Sequence, residues 1–141
     1  MPTEVGKDHE PPRRQVFLSK SAADGIITIS KTKHPNEAVL ILQGKFEGKK
    51  NRILVNSLVI PPFSISGPYY SGFPVYQLPF DGSYIGMAHS HPGPSNKPSL
   101  EDLNHFYGYV SVIICHPYED KDIAAYDRGG RALDVKITDS P

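Results

Sequence analysis

The most informative segment of this chain reads His89-Ser90-His91-Pro92-Gly93-Pro94-Ser95-Asn96-Lys97-Pro98-Ser99-Leu100-Glu101-Asp102. The apolar run from Tyr84 to Ala88 precedes it and predicts a buried strand that ends at two histidines. In an extended chain the side chains at positions i and i+2 point the same way. His89 and His91 can therefore face one metal ion, while Ser90 points to the other side.

A catalytic zinc ion is held by three protein ligands and a water, so two histidines need one more partner. Asp102 is the best candidate for that third ligand. Pro98-Ser99 predicts a helix start, and Ser99 and Asp102 would then share one face of its first turn. Two histidines from a strand and an aspartate from the next helix would leave one coordination position open.

Each half of this pattern also has a simpler interpretation. Ser99-x-x-Asp102 is a capping-box pattern, in which the hydroxyl and the carboxylate satisfy free backbone N–H groups and bind nothing else. A His-x-His pair also occurs in polar turns that hold no metal. The residues leave both interpretations open, although two histidines and an acid in one proline-rich segment favour a metal site.

The spacing of these residues resembles the signature of the JAMM (MPN-plus) metalloproteases. That signature is His-x-His-Pro followed by Ser-x-x-Asp, and here the seven residues 92–98 separate His91 from Ser99. The resemblance implies a zinc ion held by His89, His91 and Asp102. It also implies the MPN fold, an α/β architecture of the cytidine-deaminase-like type, in which a mixed sheet is flanked by helices (α+β).

Glu37 opens a nearly continuous apolar run that extends to Gly44 and is typical of a strand covered on both faces. Burial statistics alone favour an acid at an exposed strand end. The family, however, has a catalytic glutamate in the pattern Pro-x-Glu-x-x-Gly-x-Leu-x-Gly. Pro35, Glu37, Leu42 and Gly44 fit this pattern, and Leu40 replaces its first glycine.

The resemblance implies a mechanism of amide hydrolysis without a covalent intermediate. Zinc would lower the pKa of its water to about 7, and Glu37 would act as the general base. The hydroxyl of Ser99 would donate a hydrogen bond to the oxyanion. Two other zinc enzyme signatures are absent, because a single cysteine excludes the nucleobase deaminase pattern and no His-Glu-x-x-His sequence occurs.

The substrate follows from the resemblance alone. Catalytic JAMM proteins cleave the isopeptide bond after the C-terminal Gly-Gly of ubiquitin or ubiquitin-like modifiers. The short interval between Asp102 and Tyr109 leaves little room for a second insertion, so the chain resembles stand-alone archaeal and other prokaryotic, desampylase-like members that act on small ubiquitin-like modifier proteins. Two alternatives are release of cysteine or another small amine from a sulfur-carrier protein and a non-catalytic MPN scaffold.

The segment from Pro61 to Phe80 is rich in proline and contains six of the fourteen aromatic residues of the chain. A long connection of this composition is either a binding surface or a loop whose rings cover the core. The family resemblance implies contact with the ubiquitin-like partner here. The candidate substrate-binding residues are Phe63, Tyr69, Tyr70, Phe73 and Tyr76.

Composition narrows the other possibilities. Fifteen basic and fifteen acidic residues cancel over 141 residues, which argues against a nucleic-acid partner. The single cysteine, Cys115, lies in an apolar run and is expected to be a buried thiol. No run is long enough to span a membrane, so we expect a soluble cytoplasmic protein. A homodimer is only a general prior.

The chain is expected to form a polar arm over residues 1–12 and one JAMM/MPN domain over residues 13–141. Within the domain, periodicity predicts a strand at Gln15–Leu18, a helix from Ser19 to about Lys31, and strands at 37–44 and 52–60. A helix from Ser99 to Phe106, a buried strand at Tyr109–Cys115 and a closing hairpin over 123–137 follow. His105 is expected to face solvent, and His116 is expected to lie in a turn.

Overall fold

The protein is described here by a computed structural model that covers residues 12–61, 65–66, 71–72 and 82–139. The elements are β1 (Gln15–Ser19), α1 (Lys20–Lys33), β2 (Val39–Glu47), β3 (Arg52–Val59), β4 (Ile65–Ser66), β5 (Ser71–Gly72), β6 (Tyr84–His91), α2 (Leu100–Asn104), β7 (Val110–Cys115), β8 (Ile123–Tyr126) and β9 (Ala132–Thr138). The predicted arm, up to residue 11, lies outside the described residues. So do the aromatic residues proposed above to bind substrate.

Seven strands form one closed barrel in the order β1-β3-β2-β6-β7-β8-β9, with β9 returning to β1. The pairs β1–β3, β1–β9 and β6–β7 are parallel, and the other neighbours are antiparallel. The predicted mixed sheet with helices is therefore confirmed, and so is the closing hairpin, which β8 and β9 form. Closure into a barrel was not predicted from the sequence.

One apolar core joins the strands to helix α1. Alternate residues contribute to it in several barrel strands, for example Val16 and Leu18 in β1 and Val110, Val112 and Ile114 in β7, as expected from the two-residue period of extended chain. Helix α1 begins at Ser19, whose hydroxyl accepts a hydrogen bond from the Ala22 N–H at 3.0 Å. Its buried face includes Ala22, Ala23 and Ile26, and this packing holds the helix despite its β-branched residues.

The strands on either side of the two histidines, β2 and β7, are largely buried, which explains their nearly unbroken apolar sequences. Leu40, Ile41 and Leu42 are consecutive and all buried, so β2 is covered on both faces as predicted. All six residues of β7 are buried, and Cys115, at its end, is the buried thiol expected from the sequence.

Helix α2 is shorter than predicted, because it ends at Asn104 rather than Phe106. None of its residues is buried, so no packed face extends it beyond its capping interactions. His105 is the exposed C-cap of this helix, and His116 lies in the turn after β7, as predicted for both. Neither described helix has the length and apolar character needed to cross a bilayer.

Candidate metal centre

The two histidines stand at the C-terminal end of β6, between β2 and β7. Val39 pairs with His89 on one side and Ile113 pairs with it on the other. The side chain of His89 is 5% exposed and that of His91 is 16% exposed. Their rings lie side by side with centroids 5.2 Å apart, so the period of the strand directs both to the same face, as predicted.

Helix α2 delivers Asp102 to these histidines through its capping box. The Ser99 hydroxyl accepts a hydrogen bond from the Asp102 N–H at 3.0 Å, and Oδ2 of Asp102 accepts one from the Ser99 N–H at 2.8 Å. The same carboxylate places Oδ1 3.2 Å from Nε2 of His89 and Oδ2 3.0 Å from Nε2 of His91. The two interpretations of Ser99-x-x-Asp102 are therefore compatible, because the cap fixes the carboxylate that faces the histidines.

The three side chains fit a divalent metal ion. One ligand atom from each of His89, His91 and Asp102 lies within 4.8 Å of the others. Within the described residues, the buried Nε2 of His89 has no hydrogen-bond partner, although Asp102 is close to it. Native proteins rarely leave such an atom unpaired. Two imidazoles and one carboxylate are also a donor set that suits zinc.

The tautomer of His91 makes the need for a cation explicit. Its Nδ1 lies 3.0 Å from the Ser95 carbonyl oxygen. A carbonyl oxygen can only accept, so Nδ1 carries the proton, and in neutral His91 the lone pair of Nε2 faces Asp102 Oδ2. Two acceptors 3.0 Å apart require a cation between them, either a proton or a metal ion.

The close contacts within the cluster shift the pKa values of His91 and Asp102. Burial lowers the pKa of His91, but the Asp102 carboxylate and the Ser95 carbonyl outweigh burial and raise it above its usual value. Burial raises the pKa of Asp102, yet its contacts with His89, His91 and the Ser99 N–H hold that pKa far below its usual range. The cluster therefore stays anionic at Asp102 and attracts a cation.

Glu37 lies beside this cluster and is 9% exposed, just before β2 begins. It lines the same cleft of about 360 Å³ as the histidines, Asp102 and Ser99. Its charge contributes to raising the pKa of His91. The exposed strand end favoured by burial statistics alone is therefore wrong, and the buried position implied by the family pattern is correct.

Two anchors that the sequence reasoning missed hold the Glu37 segment. The hydroxyl of Ser90 accepts a hydrogen bond from the Ala38 N–H at 2.8 Å, and the Ser90 N–H donates to the Ala38 carbonyl at 3.0 Å. On the other side, Nδ1 of His34 lies 2.6 Å from the hydroxyl of the buried Tyr118. The position of Ser90 between two ligands, facing away from them, was the available signal for the first anchor.

Comparison with known proteins agrees with this geometry. The family model described as prokaryotic homologs of the JAB domain matches residues 19–129. A protein of Haloferax volcanii described as a probable metalloprotease is 31% identical over 133 residues, which cover 91% of this chain and 83% of that protein. The chain belongs to the prokaryotic JAB-domain family.

Solved structures of JAB-domain proteins share the fold. A JAB1/MPN domain protein from Archaeoglobus fulgidus is 27% identical, with a TM-score of 0.66 over 86% of this chain and 98% of that one. A structure described as a metalloprotease-like zinc site of the JAMM type in the proteasome and signalosome is 25% identical, with a TM-score of 0.62 over 88% and 98%. A Desulfitobacterium hafniense protein, 16% identical at a TM-score of 0.58 over 89% and 94%, shows the fold alone.

The resemblance drawn from residues 89–102 is thus confirmed, as is the MPN/JAB fold. At the level of the family, so is the prediction of a metal-dependent hydrolase. The structure brings together every predicted metal and catalytic residue of the JAB domain, namely Glu37, His89, His91, Ser99 and Asp102.

Proposed function

We propose that this JAB-domain protein is a zinc-dependent isopeptidase that removes small ubiquitin-like modifier proteins, through their Gly-Gly C-terminus, from lysines of target proteins. The observation that carries this proposal is a buried glutamate in one cleft with a His-His-Asp cluster that requires a cation. The non-catalytic scaffold is disfavoured by the same observation, because a scaffold has no need of either the unpaired Nε2 of His89 or a buried acid beside it.

His89, His91 and Asp102 would hold a zinc ion, which would supply Lewis-acid activation of water and of the scissile carbonyl at neutral pH. Glu37 accepts the proton of the attacking water and returns it to the leaving lysine amine. Glu37 is buried in the wall of the cleft that the three metal-ligand candidates also line, which limits its contact with bulk solvent. One group thus serves as base and then as acid.

Ser99 can assist without leaving its cap. A hydroxyl has one donor and two acceptor lone pairs, and the cap uses only the oxygen, which accepts from the Asp102 N–H. Its proton remains available to the oxyanion that forms at the scissile carbonyl. Donors of this kind contribute a few kcal/mol to the transition state.

A ubiquitin-like protein joined through its Gly-Gly terminus to the ε-amine of a lysine peptide tests the proposal. The zinc-loaded protein is expected to release the free modifier, a chelator to stop the release, and added zinc to restore it. A modifier that carries a small amine, such as cysteine, at the same terminus is the matched substrate. Cleavage of the small adduct alone would select the sulfur-carrier alternative, and cleavage of neither with zinc bound would favour the scaffold.

A further inference from the structure

The barrel carries a second cavity, of about 690 Å³, whose lining is strongly basic. We propose that this cavity binds an acidic polypeptide segment of another protein. Its lining includes Arg14, Lys49, Lys50, Arg128 and Arg131, which we call the basic trough. A third of the fifteen lysines and arginines of a chain without net charge are thus gathered in one place.

The positive charge of the basic trough is not neutralised by its own lining. Among the lining residues that the structure describes, Asp127 is the single acid, and Arg131 binds it at 2.7 Å. The turn N–H groups of Gly129 and Arg131 also donate to that carboxylate. Within the described part of the chain, Arg14, Lys49, Lys50 and Arg128 have no carboxylate at ion-pair distance. An anionic ligand would supply the missing partners.

Two of the three arginines of the basic trough, Arg14 and Arg128, are held in place before any ligand arrives. Nε of Arg14 donates to the Lys50 carbonyl at 2.7 Å, and its guanidinium lies over the rings of Phe46 and Tyr109 at 5.5 and 5.7 Å. Arg128 donates to the Gly108 carbonyl at 3.1 Å. Each guanidinium has five N–H donors, so several remain for carboxylates. Less side-chain entropy is then lost when a ligand binds.

The two lysines are presented by a hairpin tip with an unusual backbone. Lys49 and Lys50 both have a positive backbone angle φ, at 58° and 67°, which residues other than glycine and asparagine adopt rarely. Such outliers concentrate at functional sites. The ammonium of Lys50 lies 5.6 Å from the centre of the Phe46 ring, so the tip holds this charge at the rim of the basic trough.

The shape and the ring positions favour a polypeptide over a nucleic acid. An adjoining cavity of about 540 Å³, whose lining includes Arg13 and Asp134, shares Pro12, Arg14 and Asn51 with the basic trough, so the two cavities are contiguous and leave room for an extended chain. Single-stranded nucleic acids are bound by stacking of bases on open aromatic faces. Here cations already lie over Phe46 and Tyr109, and the two rings contact each other edge to face at 4.8 Å.

The basic trough is separate from the metal centre, and the proposal does not rest on the proposed function. The basic trough shares no lining residue with the cleft that contains Glu37. They lie at opposite ends of β2, whose nine residues span about 26 Å from the pair of Val39 with His89 to the hairpin tip.

Binding of fluorescein-labelled octaglutamate to the full-length, zinc-loaded protein tests this proposal by fluorescence anisotropy, with octaglutamine as the uncharged probe. The test variant is Lys49→Asn with Lys50→Asn, since asparagine tolerates positive φ and the tip should keep its fold. The matched control is Lys31→Gln with Lys136→Gln, which removes the same charge from exposed positions outside the basic trough.

The expected result is that octaglutamate binds and octaglutamine does not, and that the test variant weakens binding about tenfold. The control variant should change the affinity for octaglutamate by less than about twofold. Raising the salt concentration from about 50 to about 300 mM should weaken octaglutamate binding to the wild-type protein. Equal binding by wild type and test variant, with equal unfolding midpoints, would overturn the proposal. Tighter binding of a single-stranded oligodeoxynucleotide of equal charge would replace the polypeptide with a nucleic acid.

Discussion

The carboxylate of Asp102 accepts a hydrogen bond from the Ser99 N–H, and its oxygens lie within 3.2 Å of the Nε2 atoms of His89 and His91. The cap aims the carboxylate, because rotation of the side chain away from this position would break the hydrogen bond that Oδ2 accepts from the Ser99 N–H. A metal ligand on such a short, exposed helix would otherwise be poorly fixed. The capping box that starts helix α2 therefore also positions Asp102 as a metal ligand.

Ser99→Ala removes the hydroxyl but keeps the backbone N–H that holds Asp102. We expect metal content to be retained and turnover to fall by about 10²-fold, because a donor to the oxyanion is lost. The N-cap loss should also reduce the free energy of unfolding by about 1 kcal/mol. Zinc analysis and steady-state kinetics check this, with Ser99→Thr as the control that keeps both functions. Full activity of the alanine variant would leave Ser99 with capping alone.

Ser90→Ala leaves the buried Ala38 N–H without its partner. The expected loss in the free energy of unfolding is about 1–3 kcal/mol, measured by urea denaturation. Ser111→Ala is the matched control, since Ser111 is buried on the neighbouring strand and its hydroxyl makes no hydrogen bond within the described part of the chain. Equal effects of the two substitutions would show that the tie to Ala38 does not stabilise the Glu37 segment.

The parallel pair β6–β7 must run close together to place the histidines beside the cleft. A Cβ at Gly86 would lie 2.1 Å from the Val110 carbonyl oxygen and 2.8 Å from its Cγ1. Gly86 pairs directly with Val110, so the strands could not keep their separation. Glycine is needed here for close approach and not for a turn.

Gly86→Ala should therefore lower the free energy of unfolding by about 1–3 kcal/mol, because the strand pair is overpacked. Gly82→Ala is the control, since no atom of the described residues lies within 4 Å of a Cβ at that turn position. There we expect no loss and even a small gain. Urea denaturation of both variants distinguishes them, and an unaffected Gly86→Ala would contradict the close packing of these strands.

The elements that the sequence predicts well are those with strong local patterns. The run Leu40 to Leu42 and the mostly apolar run of β7 each specify their strand with little outside help, whereas the cap at Ser19 marks only where α1 begins and packing holds that helix. The length of α2 was overestimated, because helix propensity continues past Asn104 while no packing partner does. The apolar run that Glu37 opens and the family pattern both pointed to its burial, whereas burial statistics for an acid favoured an exposed strand end.

Closure of the barrel and segregation of charge belong to the molecule as a whole, and neither has a local signal. The pairs β1–β3 and β1–β9 join segments distant in sequence, so no window of residues reveals them. The basic trough likewise draws its residues from Arg14, the β2–β3 hairpin and the β8–β9 turn. The net charge of zero gives no indication that these basic residues lie together.

Stability of the whole molecule should depend on pH and metal together. In the metal-free protein the pKa of His91 is raised above its usual value of about 6.5, so its protonated form stabilises the fold below that pH. This contribution is lost as the pH rises through the higher pKa of the folded state. Zinc competes with that proton, and its stabilisation should therefore be larger at about pH 8 than at about pH 6.

Thermal unfolding with and without zinc at these two pH values checks this prediction. Free zinc at about 100 times its dissociation constant adds about 2.7 kcal/mol. Asp102→Asn should abolish most of the difference at both pH values, since it removes a charged ligand. A zinc shift that is equal at both pH values would show that His91 is not in competition with a proton.

The most direct test of a metal-dependent hydrolytic centre is the single-turnover rate of zinc-loaded Glu37→Gln on the lysine-linked modifier, measured with its zinc content. Glu101→Gln is the matched control, because Glu101 is an exposed glutamate that lines the same cleft. We predict full zinc occupancy with a rate reduced by at least about 10²-fold for Glu37→Gln, and a near-normal rate for Glu101→Gln. A Glu37→Gln protein that binds zinc and cleaves at the wild-type rate would contradict the assignment of Glu37 as the base.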